Sequence, residues 1–352
     1  MDYYIDRDRR KRNTAGAKAP ADISKICEKK GMKCFPMPLF PEEKNKIYQK
    51  CWLLVVGYFY WFKLYAILKS GDRVIYQHPM YANRMALKMI PKIQKKKQCK
   101  FVVVIHDLES LRKGINGLIK NNEKTNYIAD NLLLDKFDYI ICHNKYMKKY
   151  LMNQGIQEKK IVCLEIFDYL CKIDKKEQTK EDKASIAIAG NLAKGKSGYI
   201  YEFIKDNSGL GIHLYGINYE KTECNSDVIY HGSFSPEELP EKLEGNFGLV
   251  WDGSSAQSCV GNTGEYLKYN NPHKTSLYLA SGIPVIIWKH AAMADFVLDN
   301  KVGIVVDSLY DIKHAIEDIS NSQYKEMCRN VKDISEKLRK GYYFTKALEK
   351  CR

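Results

Sequence analysis

The chain has 352 residues, of which 45% are hydrophobic and 12% aromatic; this is more than one core usually takes, so two domains are expected and a disordered chain is excluded. The formal charge of +15 is one-sided: residues 1–170 carry 33 Lys and Arg against 17 Asp and Glu, or +16, whereas residues 171–352 carry 24 against 25, or −1. A field of this kind suits an anionic partner such as nucleic acid, acidic lipid or a phosphate-bearing substrate, although runs such as Lys95-Lys96-Lys97 read first as a solvated surface.

The first strand is "MDYYID", followed by the polar "RDRRKRNTAGAKAP" and a helix ending near Gly31. "MKCFPM" reads as a second strand, and a long helix follows from about Glu42 to Ser70. Within that helix "CWLLVVGYFYWFKLYAIL" approaches membrane-spanning length, but Lys63, Gly57 and the rings of Tyr58–Phe62 make it a poor span; a buried or partly membrane-facing helix is expected. Next come "DRVIYQHP", a helix from Tyr81 to about Gln98, "KFVVVIHD", a helix around 120–135, "FDYIICHN", a helix over Lys145–Asn153 and "KIVCLEIF". Continuously apolar, β-branched strands alternating with helices predict a parallel sheet covered on both faces.

Residues 171–185 lack apolar periodicity and read as a linker. A second alternating series follows: "SIAIAGN", a helix near Tyr199–Lys205, "GIHLYG", "DVIYHGSF", a short helix at Pro236–Leu243, "FGLVWDG", a helix beginning near Lys274, "IPVIIW", "GIVVD" and a helical region over 311–349. The expected organisation is an N-terminal Rossmann-like domain (1–170), the linker, a second Rossmann-like domain (186–320) and a C-terminal helical region (321–352) that packs back on the first domain. Two such α/β domains in tandem place a cleft between the C-terminal edges of their sheets.

Several classes lose ground. No G-x-G-x-x-G follows a first strand and no G-x-x-x-x-G-K-[ST] is present, which removes most of the case for dinucleotide dehydrogenases and P-loop enzymes. No paired Cys/His zinc spacing, aromatic RNP-like strand or basic heptad helix supports nucleic-acid binding. Eleven scattered cysteines without CxxC pairs, and no N-terminal signal, point to reduced thiols in the cytoplasm.

The stretch "NPHKTSLYLASGIPVIIW" carries a resemblance. Many GT-B glycosyltransferases have a Pro-x-Lys-x-x-Glu-Tyr-Leu-Ala-x-Gly-x-Pro-Val pattern in their second domain, matched here by Pro272, Lys274, Tyr278, Leu279, Ala280, Gly282, Pro284 and Val285. The pattern's glutamate, which typically contacts the nucleotide ribose, is Leu277 here, so that contact is expected elsewhere. In order, "QHPMYANRM", "VVVIHDLESLR", "IAIAGNLAK", "YHGSFSPEELPEKLEGNFGLVWDG" and "NPHKTSLYLASGIPVI" resemble the bacterial adhesin-modifying glucosyltransferases and β-1,6-galactofuranosyltransferases, over roughly residues 13–310. The resemblance implies transfer of a hexose from a UDP-sugar to a saccharide acceptor, inverting and without a catalytic metal or other cofactor. Surface polysaccharide or glycoprotein glycan synthesis is the implied setting.

Candidate site residues follow from strand ends and from the lysine helix. At the start of a helix, the Lys274 ammonium adds to free backbone N–H groups, so a diphosphate is gripped there, with Asn271, His273, Thr275 and Ser276 as further donor-site candidates. Gly190 and Asn191 end one strand and Gly232 and Ser233 another; both turns suit close approach of a nucleotide, or are ordinary turns. "GNTGEYLKYNNPHK" reads as a polar loop for sugar hydroxyls or a plain surface loop. In the first domain Asn13, Gly16 and Lys18 lie in the loop after the first strand, with His78 and Arg112 at other strand ends, as acceptor-side candidates. His106 or Asp107 is expected to be the general base, against the alternatives of a structural histidine and a helix cap. Asp6-Arg7-Asp8 imitates a metal-binding Asp-x-Asp but lacks that context and is read as coincidence. A homo-oligomer with peripheral contact to an anionic membrane is expected. The rivals are a retaining transferase, a sugar-nucleotide 2-epimerase, and a non-catalytic subunit binding a partner transferase or a membrane surface.

Overall fold

The computed structural model describes residues 1–6, 15–41, 45–80, 83–112, 128–173, 184–206, 209–223 and 227–351. The chain divides into two compact units: Met1–Lys11, Pro20–Leu164 and Phe344–Arg352 form the first, and Arg12–Ala19 with Glu165–Tyr343 the second.

The first unit holds six parallel strands, β1 (Asp2–Asp6), β2 (Lys33–Pro36), β3 (Arg73–His78), β4 (Lys100–Ile105), β5 (Tyr139–Cys142) and β6 (Ile161–Cys163), in the order β2-β1-β3-β4-β5-β6. Its helices are α1 (Ala15–Lys29), α2 (Lys46–Ile67), α3 (Asn83–Lys97), the single turn α4 (Glu109–Arg112) and α5 (Lys145–Asn153), with a π-helical turn at Ile128–Leu133. The central strands are fully buried over Val74–Tyr76, Phe101–Ile105 and Ile140–Cys142, which is why they read as unbroken apolar runs rather than alternating ones. The side chain of Asn45 caps α2 by accepting from the amides of Ile47 (2.9 Å) and Tyr48 (3.2 Å). Trp61 on its inner face packs against Tyr76 and Phe101.

The second unit repeats the architecture with β7 (Ser185–Asn191), β8 (Gly211–Ile217), β9 (Val228–Tyr230), β10 (Phe247–Val250), β11 (Val285–Trp288) and β12 (Gly303–Val306), ordered β12-β11-β10-β7-β8-β9 and all parallel. Helices α6 (Lys194–Asp206), α7 (Leu239–Lys242), α8 (Gly261–Tyr266), α9 (His273–Ala280), α10 (Ala294–Asp299), α11 (Ile312–Glu317) and α12 (Asn321–Lys340) flank it, and α13 (Tyr342–Glu349) closes the chain. A capping box between Ser320 and Gln323 starts α12, and Gly341 at φ 77° ends it. The long helix packs on α9, where Ser335 donates to the Ala280 carbonyl at 2.8 Å.

Three expectations differ in detail. Gly16 and Lys18, expected in the loop after the first strand, lie at the start of α1. The stretch read as a polar loop begins with the short helix α8, because Gly264 lets the backbone approach Cys259 more closely than any side chain would allow. Ala294–Asp299 forms a helix the sequence reading passed over; at six residues it is too short to show a periodic stripe. Among the described residues no helix is long and apolar enough to cross a membrane.

Candidate active site

In the second sheet the chain leaves β7 toward β8 on one side and later returns through β10 on the other, so β7 and β10 flank the topological switch point, where open α/β sheets take ligands. Gly190 ends β7 at φ 143°, in a region open to glycine. Its neighbour Gly216 has φ 147°, and a Cβ there would lie 1.7 Å from the Gly190 carbonyl oxygen, so the strand ends meet backbone to backbone. Gly216 in turn donates to the carbonyl of Gly232 at 2.8 Å. Three adjacent chain segments thus present a ledge of glycines.

Lys274 reaches this ledge from the first turn of α9. Its Nζ donates to the Trp251 carbonyl at 3.0 Å and to Oδ1 of Asp252 at 2.9 Å, and a Cβ on Gly190 would touch its Cε at 3.4 Å. Burial alone would lower the lysine's pKa; the Asp252 carboxylate outweighs it and holds the ammonium above its ordinary value. The helix is anchored behind the site by Tyr278. Its ring occupies space that any side chain at Gly248 would fill, and its hydroxyl accepts from the Ala189 amide at 2.8 Å.

The rest of the α9 motif faces inward. Asn271 donates to the Glu165 carbonyl at 3.1 Å and Ser276 to that of Phe167 at 2.7 Å, fixing the segment that follows β6 along the helix. His273 lies against the rings of Tyr169 and Phe167, and Lys18 is buried beside them, 4.8 Å over Tyr169, with its Nζ donating to Leu170 O at 2.6 Å. Burial first, and the Lys18 charge second, push His273 down to about 3 against the pull of a hydrogen bond to the Asp168 backbone, so its ring is neutral at physiological pH. Asn270 Oδ1, His273 Nε2 and Thr275 Oγ1 are buried with no hydrogen-bond partner among the described residues. All three lie around the N-terminus of α9.

The remaining donor-side candidates play local parts. Asn191 accepts from the Ala193 amide and from Asn218, each at 3.1 Å, while Ser233 is exposed.

At the C-terminal edge of the first sheet, buried Gln77 and Ser24 link the half-buried His106 and Asp6 in a directional chain. His106 Nε2 lies 2.7 Å from Gln77 Oε1, Gln77 Nε2 donates to Ser24 Oγ at 3.0 Å, and Ser24 donates to Asp6 Oδ1 at 3.1 Å. Because Gln77 uses its amide nitrogen toward Ser24, its oxygen accepts from His106, which places that ring's proton on Nε2. On the opposite face of β3, His78 is fully buried with Nε2 at 2.9 Å from Asp130, whose other oxygen accepts from the Ser110 amide at 2.6 Å. Asp107 lies 3.9 Å from Arg112, which pairs more closely with Glu109 at 2.7 Å. Gly16 is exposed, and Asn13 lies outside the described residues.

Sequence reasoning missed Asp252, Gln77, Ser24 and Asp130 as partners. Asp252 was findable, being an acid directly after an apolar strand end; Gln77 and Asp130 carry no local signal. His213, His231 and Glu244 have ligand atoms at metal-compatible spacing, with His213 Nδ1 2.9 Å from His231 Nε2 and 3.6 Å from the Glu244 carboxylate. As they stand, the two imidazoles satisfy each other by a hydrogen bond.

Two parallel α/β units of this topology, with a lysine helix at the second unit's switch point, define the GT-B class of glycosyltransferases. Comparison with known proteins gives the family. Residues 2–166 match the model for the N-terminal domain of glucosyltransferase 3-like proteins, and residues 186–351 match that for their C-terminal domain. The chain belongs to this glucosyltransferase 3-like family and is a hexosyltransferase. It is 39% identical over 254 residues to the β-1,6-galactofuranosyltransferase WbbI of Escherichia coli K12, covering 71% of this chain and 70% of that protein. To glucosyltransferase 3 of Streptococcus gordonii it is 26% identical over 279 residues, 79% of this chain and 78% of the relative. Among solved structures, the lipopolysaccharide outer core galactosyltransferase WaaB aligns with TM-score 0.58 at 15% identity, over 99% and 98% of the two chains, a likeness of fold.

Proposed function

We propose that this hexosyltransferase takes glucose, galactose or galactofuranose from a UDP-sugar held by the second unit, and transfers it to a saccharide acceptor with inversion and without a metal ion. The observation that carries the reading is Lys274 at the β7/β10 switch point, a half-buried ammonium beside a glycine ledge and the N-terminus of α9. In this reading the donor diphosphate draws the ammonium from Asp252, and the lysine with the free amides of α9 stabilises the charge that develops as UDP leaves. The acceptor hydroxyl attacks the anomeric carbon, the bond to the diphosphate oxygen breaks, and the hydroxyl proton passes to a base of the first unit. His106 fits that role: its link to Gln77 fixes the tautomer and makes Nδ1 the ring's basic nitrogen. The relatives named for glucosyl and galactofuranosyl transfer support the hexose class, and the basic first half suits a saccharide acceptor carried on a lipid diphosphate at the inner face of a membrane, or on a glycoprotein. Cytoplasmic placement and a homo-oligomeric state belong to the same reading, the latter measurable by light scattering.

The test is a thermal-shift panel of UDP, GDP, ADP, CMP and UDP-hexoses with EDTA present, followed by analysis of the anomer formed on acceptor. Stabilisation by uridine species alone, unchanged by EDTA, supports the reading. A flat response to every nucleotide overturns the donor assignment, and a product that keeps the donor's anomeric configuration overturns inversion.

A further inference from the structure

We propose that the outward face of α2, together with the lysines of α3 beside it, is a docking surface for an anionic lipid bilayer, on which the helix lies flat. The inner face of α2 is spent on the first unit's core through Gly57, Tyr60, Trp61 and Leu64. The outer face is where a helix on a soluble domain carries charge. Here it carries Ile47 (74% exposed), Leu54 (56%), Val55 (71%), Tyr58 (49%), Phe59 (69%) and Phe62 (65%). Intervals of three and four residues align these side chains in one stripe, and together they expose on the order of 700 Å², above the largest apolar patch of an ordinary monomer. Its aromatic content suits the boundary between headgroups and acyl chains. A helix of 22 residues lying in that boundary needs no membrane-crossing length.

Charge selects the occupant. Residues 45–106 contain twelve Lys and Arg against one acid, Asp72, which is itself engaged by the N-terminal ammonium at 2.8 Å and the Lys69 amide at 2.8 Å. Neither α2 nor α3 holds an acidic residue. The two helices pack side by side, with Lys97 and Lys92 of α3 at 4.9 and 5.9 Å from the ring of Tyr65 on α2, and Lys97 donating to the Leu68 carbonyl at 2.8 Å. Arg84, Lys88, Lys95 and Lys96 are exposed along the same helix. An apolar stripe with a cationic row beside it matches an anionic bilayer, acyl chains taking the rings and headgroups the ammonium groups. Pairing with a second copy would bring two such rows together without counter-charge. The surface lies within the first unit, so the inference goes beyond the reaction and does not rest on the donor assignment.

The experiment is sedimentation of the full chain with vesicles of phosphatidylcholine alone, and with about 30% phosphatidylglycerol added, at low and high salt. The chain is expected to pellet with the mixed vesicles, weakly with the neutral ones, and less as salt rises. Each lysine near an anionic surface contributes roughly five-fold to partitioning, so Lys92→Glu with Lys95→Glu and Lys96→Glu together lower it by about 100-fold or more. Phe59→Ser with Phe62→Ser lowers it at least about 10-fold through lost insertion. All five positions are exposed, so unchanged melting temperatures and an unchanged UDP-induced shift are expected; these separate failure of docking from failure of the fold or of the donor site. No pelleting with any vesicle, or pelleting untouched by both sets of substitutions, overturns the proposal. So does an oligomer that the phenylalanine changes convert to monomer while the parent chain ignores vesicles, which reassigns the face to self-association.

Discussion

Replacing Lys274 by Ala removes two things at once, the partner of Asp252 and the cation proposed to meet the donor diphosphate, and a paired substitution separates them. Breaking a buried ion pair from one side costs roughly 3–5 kcal/mol because the other charge is stranded. Asp252 keeps some water access, with 23% of its side chain exposed, so about 1–3 kcal/mol is the better figure for Lys274→Ala. In a unit of this size that lowers the melting temperature by roughly 2–4 °C per kcal/mol. Combining Lys274→Met with Asp252→Asn removes both charges at nearly constant volume, and recovers most of the loss. UDP affinity behaves differently: charge-assisted hydrogen bonds to the diphosphate contribute about 1.5–3 kcal/mol, so both the single and the paired variants bind UDP roughly 10- to 150-fold more weakly by calorimetry. If the paired variant regains stability and also binds UDP like the parent, Lys274 is a structural lysine and the donor site lies elsewhere.

Gly216→Ala tests the glycine ledge. The added Cβ collides with the Gly190 carbonyl and the φ of 147° is unsuited to alanine, so a loss of roughly 3 kcal/mol or more is expected in urea unfolding, with UDP binding falling in parallel. Ser24→Ala interrupts the link from Asp6 to Gln77 without touching His106. It should lower kcat about 10-fold while KM for donor stays constant, and broaden the acid limb of the pH–rate profile; an unchanged profile removes the relay from the mechanism. His143, which is buried, and His273, which is half-buried with its Nε2 enclosed, contribute a pH dependence of stability. Burial holds them at about 4 and about 3 against a usual 6.5, so the stability they contribute is complete above pH 6.5 and is lost as pH falls toward 4. Each contributes up to about 1.4 kcal/mol per pH unit in that window. His143→Phe should flatten the decline of melting temperature with acid; an unaltered slope refutes the assignment.

Much of the fold was legible because its strands are nearly continuous apolar runs. Phe101–Ile105 and Val285–Trp288 are buried on both faces, and only a parallel sheet covered by helices on each side asks for that. The helix expected over Lys145–Asn153 is α5 itself, whereas the helical region expected over 311–349 is divided, with Gly341 separating α12 from α13. Elements set by tertiary packing were not legible: the short helices α8 and α10 have too few turns for a stripe. The departure at Leu277 is now intelligible, since that side chain is buried in the second unit's core and the position is spent on packing.

Candidate residues were legible wherever a backbone constraint forced the residue type. Gly190 and Gly232 were found from strand ends because turns of positive φ ask for glycine, and Lys274 from its place at a helix start. What could not be read was who pairs with whom. Gln77 and Ser24 are ordinary residues of a strand and a helix, 53 positions apart, and only the sheet order that brings β3 beside β1 turns them into a hydrogen-bonded path from Asp6 to His106. Lys274 and Asp252 are likewise joined by the return of the chain through β10. Sequence spacing encodes periodicity within an element, whereas these pairings depend on register between elements. A constellation assembled from several strands and helices is therefore the last feature a single sequence gives up, because each pairing needs the register between elements as well as the pattern within them.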